Sequence, residues 1–306
     1  MFDLTQAIEG QNFKTKAELK KFMDGIMKGG GVIPFAPTKN AKNAANAAQE
    51  LIYDAWEAGS KSERIRLAKR ALSIYPDCAD GYNLLAEDAA KTVEESAQYY
   101  TNAMEAGLRA LGETKIKEMK GHFWGFLETR PYMRARAGLM QCLWNLGKHD
   151  EAIKHAREML KMNPNDNQGI RYILIAYLAE LKLYDELDTF MNKGEYQDDC
   201  VAEWAYTRAL LSFAKNGASP KAQKELELAL RSNVHVTKYL TGQKSIPRLL
   251  PDSITIGGED EAFCYAAVNI KTWKNVPGAI DWLKKTAASK FVLLPGREKK
   301  GTVKNY

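Results

Sequence analysis

One stretch of this 306-residue sequence concentrates side chains that could take part in catalysis or ligand binding. Residues 121–136, GHFWGFLETRPYMRAR, include His122, Trp124, Glu128, Arg130 and Tyr132. A histidine and a carboxylate can act as an acid–base pair. Two glycines, a proline and large aromatic residues are typical of an ordered loop that leads into a helix. No nucleophile motif or third orienting group accompanies them, so three interpretations stay open: aromatic packing, contact with a small ligand, and catalysis.

A second group of polar and aromatic side chains recurs on one face of successive predicted helices. Its members are Arg134, Gln141, Asn145, Gln168, Arg171, Tyr172, Trp204, Arg208 and Lys215. Arginine supplies planar sets of donors that suit carboxylates, and aromatic rings add apolar anchors. We therefore expect these residues to line a groove for a protein or peptide partner, such as an acidic or C-terminal segment. The alternative is that the basic residues are solvated or pair with nearby Asp and Glu.

The remaining reactive residues predict neither a metal site nor a cofactor, and we expect no enzyme. His149 and His155 do not form the HExxH pattern of zinc enzymes. Gly29-Gly30-Gly31 lacks the Lys-Ser or Lys-Thr pair that would meet a nucleotide phosphate. The four cysteines are too far apart for a zinc knuckle, and they predict reduced, mainly buried thiols in a cytoplasmic protein. They are Cys78, Cys142, Cys200 and Cys264.

The net charge of +6 comes from one end of the chain. Residues 284–306 hold seven Lys and Arg against one Glu, which leaves 37 basic and 37 acidic residues in the rest of the chain. A neutral body lacks the positive surface that a phosphate backbone calls for. Nucleic-acid contact through the basic tail, residues 288–306, is therefore only a third candidate function.

Membrane insertion is not expected. The longest apolar run, Ile170 to Leu178, is about half the roughly 20 residues that a spanning helix needs. The first residues, MFDLTQAIEGQNF, contain no apolar run suited to a signal peptide.

We expect the residues named above to lie on helices or in the loops between helices. From about Asn40 apolar residues recur at spacings of three and four, and only short stretches such as residues 234–236, 253–256 and 291–294 look extended. Residues 1–40 look like an N-terminal arm with one short helix, which Gly29-Gly30-Gly31 would end. The helical region spans residues 41–287, with irregular insertions at residues 113–131 and 234–258. A basic tail follows at residues 288–306.

Internal repetition defines the predicted architecture. Residues 133–166 combine a turn at Gly147, small residues at Ala152 and Ala156, and a terminal Pro164. This unit resembles a tetratricopeptide repeat, a helix–turn–helix of 34 residues. Weaker copies flank it and bring the total to five or six helical pairs. The sequence therefore predicts an all-α fold, a right-handed α-solenoid of the tetratricopeptide type.

A second resemblance is carried by SNVHVTKYLTGQKSIPRLLPDSI at residues 232–254 and GGEDEAFCYAAVNIKTWKNVPGAIDWL at residues 257–283. These stretches resemble the closing section of the suppressor-of-tumorigenicity-7 family. The resemblance implies a helical repeat region without an established catalytic role, and it supplies no active-site residue. Animal members also carry membrane-spanning segments, so we expect this chain to be a soluble, microbial relative. Our leading hypothesis is a non-catalytic scaffold that binds a partner segment on its concave face.

Overall fold

The computed structural model describes residues 41–251 and 253–291, and every regular element in those residues is helical. There are thirteen α-helices in this part of the chain: α1 (Ala41–Glu57), α2 (Lys61–Ile74), α3 (Ala79–Asp88), α4 (Val93–Glu118), α5 (Arg130–Asn145), α6 (His149–Met162), α7 (Ile170–Glu180), α8 (Tyr184–Lys193), α9 (Ala202–Asn216), α10 (Pro220–Ser232), α11 (Val236–Leu240), α12 (Glu259–Lys274) and α13 (Ala279–Phe291). The predicted arm at residues 1–40 and the tail beyond residue 291 lie outside the described residues.

Consecutive helices pack as pairs, and the pairs stack. Helix α1 packs on α2, α3 on α4, α5 on α6, α7 on α8, and α9 on α10. The first helices of neighbouring pairs also meet, as α3 does with α5 and α7 with α9. This arrangement confirms the prediction of an all-α solenoid built from helical pairs. The last pair departs from it, because α12 contacts α7 as well as α9.

The pair α5–α6 shows how the sequence produces the repeat. Leu139 and Leu143 are buried on the inner face of α5. Gly147 turns the chain at a φ of 74°, a conformation in which any side chain would be strained. Ala152 and Ala156 are fully buried, so their small side chains let α6 approach its neighbour closely.

The core runs along the stack in three clusters rather than as one centre. The first joins α1, α2 and α3 around Ile52 and Leu84, and the central one surrounds Met133 and Met140. The third belongs to α9–α13, where the Trp273 indole N–H donates to the Tyr265 hydroxyl oxygen at 2.9 Å. Local clusters of this kind are typical of a solenoid, in which each unit contacts only its neighbours.

Both predicted insertions contain more helix than expected. Helix α4 continues through Gly112, whose φ of 73° and ψ of 158° kink it, and ends at Glu118. Two short 3-10 turns follow, Phe123–Gly125 and Leu127–Thr129. Within residues 234–258, Val236–Leu240 form α11, and the two stretches there that looked extended form no strand.

Candidate functional site: a groove along α5

The loop at residues 121–136 is held by its own contacts. The Thr129 hydroxyl donates to the carbonyl oxygens of Phe123 and Phe126, and the Phe123 ring is fully buried. Arg130 Nε donates to the Trp124 carbonyl oxygen at 3.1 Å, and its guanidinium lies 5.4 Å from the centre of the Trp124 ring. These contacts are the ones expected of aromatic packing.

The predicted acid–base pair is not assembled in this loop. Glu128 is exposed, and its nearest cation is Lys115, at 4.0 Å. His122 is exposed and shares no hydrogen bond with Glu128 among the described residues. Tyr132 lies in the core, where its hydroxyl oxygen accepts from Arg136 Nη1 at 2.6 Å. The side chains grouped by sequence therefore point to different neighbours.

Arg134 joins two helices instead of facing an open groove. Its Nε and Nη2 donate to Oδ1 and Oδ2 of Asp80 on α3, at 3.0 and 2.5 Å. Asp80 is only 1% exposed, and it also accepts from Asn83 Nδ2 at 3.0 Å. The guanidinium lies 5.4 Å from the centre of the Trp56 ring on α1. One arginine thus connects α5 to the two preceding pairs.

Arg171 makes a similar connection on α7. It donates to Oδ2 of Asp199 at 2.8 Å and to Oδ2 of Asp166 at 3.0 Å. The Tyr172 hydroxyl accepts from Arg171 Nη2 and donates to Asp199 Oδ2 at 2.8 Å. Burial raises the pKa of the Asp166 carboxyl, while Arg171 and two backbone amides act in the opposite direction. Arg171 and Tyr172 are therefore held inside a network of side chains.

Three more of the predicted groove residues are held by other parts of the chain. Arg208 Nη2 donates to the carbonyl oxygens of Met191 and Gln197, at 3.2 and 2.8 Å. Lys215 Nζ lies 3.0 Å from Asp185 and 3.1 Å from Asp188. Trp204 is fully buried, which corrects the expectation of a ring exposed in a groove.

Gln141 and Asn145 differ from all of these residues. Both side chains are exposed, and neither has a hydrogen-bond partner in the described part of the chain. They lie one turn apart on α5 and form a ridge between two cavities. We call this ridge and its two cavities the α5 groove. Gln168 lies elsewhere, half-buried, with an Oε1 atom that has no partner among the described residues.

The cavity on one side of the ridge, the polar cavity, has a volume of about 420 Å³. It is lined by Ala90, Lys91, Thr92, Val93, Ser96, Tyr100, Gly138, Gln141, Cys142 and Asn145. The Tyr100 ring lies directly over Gly138, where a Cβ atom would be 2.3 Å from the ring. Burial raises the pKa of Tyr100 to about 12, so its hydroxyl stays protonated near neutral pH. Lys91 is exposed and makes no ion pair within the described residues.

The cavity on the other side, the apolar cavity, has a volume of about 360 Å³. It is lined by Gln141, Trp144, Asn145, Ile173, Ala176, Tyr177, Glu180 and Val268. The Trp144 and Tyr177 rings stack with their centres 3.6 Å apart. Val268 reaches the cavity from α12 and is 61% exposed. Glu180, at the edge, is paired with Lys271 of α12 at 2.8 Å.

The sequence analysis included Gln141 and Asn145 among the expected groove residues, but it did not indicate the residues that form the walls around them. Gln141 and Asn145 follow from the repeat, whereas Lys91 and Tyr100 come from the preceding pair and Val268 from α12. One local signal was available: Gly138 within a helix indicates close approach of another group, here Tyr100.

Within the described residues, the cysteines and acidic side chains form no metal site. No group of three His, Cys, Asp or Glu side chains in residues 41–251 and 253–291 is arranged to hold a metal ion. Cys78 and Cys142 are buried as predicted and Cys264 is half-buried, but Cys200 is exposed, which corrects that expectation. The described helices include none that is long and apolar enough to cross a membrane.

Comparison with known proteins places the chain in a family. The family model "ST7 protein" matches residues 38–306. The chain is 30% identical to the Protein ST7 homolog of Drosophila pseudoobscura pseudoobscura over 80% of its length and 49% of the relative. It is 29% identical to human Suppressor of tumorigenicity 7 protein-like over 82% of its length and 47% of the relative. The chain thus spans about half the length of these relatives.

Among solved structures, the chain is similar to YrrB, described as a TPR protein with an unusual peptide-binding site. The TM-score is 0.44 at 18% identity, over 69% of this chain and 91% of YrrB. The match to the family model covers most of the chain and includes the two stretches at residues 232–254 and 257–283 that carried the resemblance. The chain belongs to the ST7 protein family.

Proposed function

We propose that this chain is a non-catalytic scaffold that binds a segment of a partner protein in the α5 groove. One observation carries the proposal: two exposed amide side chains, which have no hydrogen-bond partner among the described residues, form a ridge between two cavities on α5. Each amide has both a donor and an acceptor, as the peptide group does. Gln141 and Asn145 can therefore bond the main chain of a bound segment, while the cavities accept its side chains.

The rigidity of the α5 groove favours the binding of a partner segment. The ridge belongs to α5, whose other face is buried in the central core and which Arg134 connects to α3. A site that is already ordered loses little conformational entropy when a partner binds, so more of the contact energy appears as affinity. The side-chain amides are exposed, so binding exchanges their hydrogen bonds to water for hydrogen bonds to the partner, with a modest net gain for each bond.

The arginines give little support to the expectation that the partner segment is acidic. Arg134 and Arg171 are paired with Asp80, Asp166 and Asp199, so their charges are already balanced inside the chain. Arg208 and Lys215 also have partners within the chain. We therefore assign the main contacts to the amide ridge rather than to the arginines.

A random peptide library displayed on phage tests the proposal directly. The full chain would be the bait, and the affinity of an enriched peptide would be measured by fluorescence anisotropy. Replacing Gln141→Ala together with Asn145→Ala should weaken binding about tenfold or more, because each hydrogen bond contributes roughly 0.5–1.5 kcal/mol.

The chain contains a matched control. Gln98 and Asn102 form an exposed amide pair with the same spacing on α4, joined to each other at 3.0 Å and outside both cavities. Gln98→Ala with Asn102→Ala should leave the affinity unchanged. If the α5 double variant binds every enriched peptide as tightly as the unmodified chain does, the groove is not the binding site.

A further inference from the structure

We propose that the partner segment is extended and alternates an apolar side chain with an acidic one. This inference rests on the proposed function and specifies its ligand. The α5 groove offers two unlike cavities on opposite sides of one ridge. An extended chain places successive side chains on opposite sides, so a segment lying along the ridge would send alternate residues into each cavity.

The spacing of the two amides suits an extended main chain. Residues four apart on an α-helix rise about 6 Å along its axis. Residues two apart in an extended chain are separated by about 6.6 Å. Gln141 and Asn145 can therefore bond two peptide groups that belong to side chains on the same side, which keeps the segment in register over both cavities.

The apolar cavity selects one class of side chain. Most of its wall is formed by aromatic and aliphatic side chains, namely Trp144, Ile173, Ala176, Tyr177 and Val268. The carboxylate at its edge, Glu180, is engaged by Lys271. This surface has no unpaired charge, so burying an aliphatic or aromatic side chain there would be favourable and burying a charged one would be costly.

The polar cavity selects another class. Its lining includes four uncharged polar side chains, those of Thr92, Ser96, Gln141 and Asn145. The only charged residue in the lining is Lys91. Burial raises the pKa of the Cys142 thiol, which disfavours a thiolate that would compete for the lysine. The ammonium group of Lys91, which makes no ion pair within the described residues, is complementary to an Asp or Glu side chain of the segment.

A positional array provides the test. It would take the peptide enriched against the full chain and replace each position in turn with Asp, Lys, Leu and Ser. We expect two or more alternate positions at which Leu is preferred and an intervening position at which Asp is preferred over Lys by about tenfold. On the Lys91→Glu variant, the intervening position should instead prefer Lys, whereas the control Lys69→Glu should change nothing.

A second variant tests the other cavity without disturbing the core. Val268→Lys places a charge at an exposed position on the apolar rim, and it should reduce the preference for Leu at the alternate positions. The matched control is Leu228→Lys, which changes an exposed aliphatic residue on α10.

The possible outcomes separate this inference from the proposed function. Peptides that depend on Gln141 and Asn145 but show no alternation, or no reversal with Lys91→Glu, would overturn the inference and leave the groove in place. A selection that enriches no peptide, or only peptides indifferent to both amides, would overturn both.

Discussion

Two sets of polar residues occupy comparable faces of successive helices, yet the structure uses them differently. The arginines are paired with carboxylates of the fold: Arg134 connects α5 to the buried Asp80 on α3, and Arg171 connects α7 to the loops that precede α7 and α9. The amides, Gln141 and Asn145, have no partner in the described residues and stand between two cavities. A charged side chain is therefore a poor guide to a binding surface until its partners within the fold are known.

Physical chemistry explains this division. A carboxylate as buried as Asp80 is stable only with a charged or strongly hydrogen-bonding partner, and a bidentate arginine fits that need. An exposed amide needs no partner within the fold, since it forms hydrogen bonds with water in the free protein. It can exchange water for a peptide group at little cost.

Breaking one of the arginine connections should give the largest effect. Arg134→Ala leaves the Asp80 carboxylate buried with Asn83 as its remaining side-chain partner, and we expect a loss of about 2–4 kcal/mol in the free energy of unfolding. Urea titration followed by circular dichroism measures this change.

An exposed pair provides the comparison for that measurement. Arg66 pairs with Glu63 on the surface of α2, and Arg66→Ala should change stability by about 0.5 kcal/mol or less. Equal losses in the two variants would show that burial of Asp80 does not give Arg134 its structural role.

A somewhat smaller effect is expected at Glu203, a half-buried carboxyl that pairs with no cation in the described part of the chain. Burial raises the pKa of Glu203 to about 7, and the nearby charges of Glu261 and Asp199 add to the shift. Because the folded-state pKa lies above the ordinary value of 4.5, the folded protein holds the proton more tightly than the unfolded chain. Stability should therefore fall as pH rises from about 4.5 to about 7.

Glu203→Gln removes the free-energy cost of ionising this carboxyl in the folded protein. The variant should be more stable than the unmodified chain at pH 8, by about 2–3 kcal/mol, and the gain should shrink towards pH 5. Urea unfolding at both pH values measures it, with the exposed Glu57→Gln as the control. A gain of equal size at pH 5 and pH 8 would rule out titration of Glu203 as the cause.

The sequence could predict what depends on local pattern. Spacing of apolar residues indicated the helices, and Gly147, Ala152 and Ala156 indicated the turn and the close helix crossing, all of which the structure confirms. The resemblance carried by residues 232–254 and 257–283 led to the correct family. The helices, the turn and the close crossing each depend on residues within one repeat.

What the sequence could not predict depends on distant contacts. Asp80 precedes Arg134 by 54 residues, and no pattern in either helix indicates that they pair. The apolar cavity needs Val268 from α12, a helix that leaves the regular stacking to contact α7. Trp204 lies at a position expected to line the groove, but the chain around Phe190 and Tyr196 covers its ring.

We propose that the arginines stabilise the stack, while the amides bind the partner. This division of roles is tested by measuring the unfolding free energy and the affinity for one enriched peptide, for Arg171→Ala and for Gln141→Ala with Asn145→Ala. We expect Arg171→Ala to lose about 2–4 kcal/mol of stability and, at a temperature where it is folded, to keep its affinity. The amide double variant should keep its stability within about 0.5 kcal/mol and lose about tenfold or more in affinity. The reverse pattern, with affinity lost through Arg171 and retained without the amides, would contradict the account.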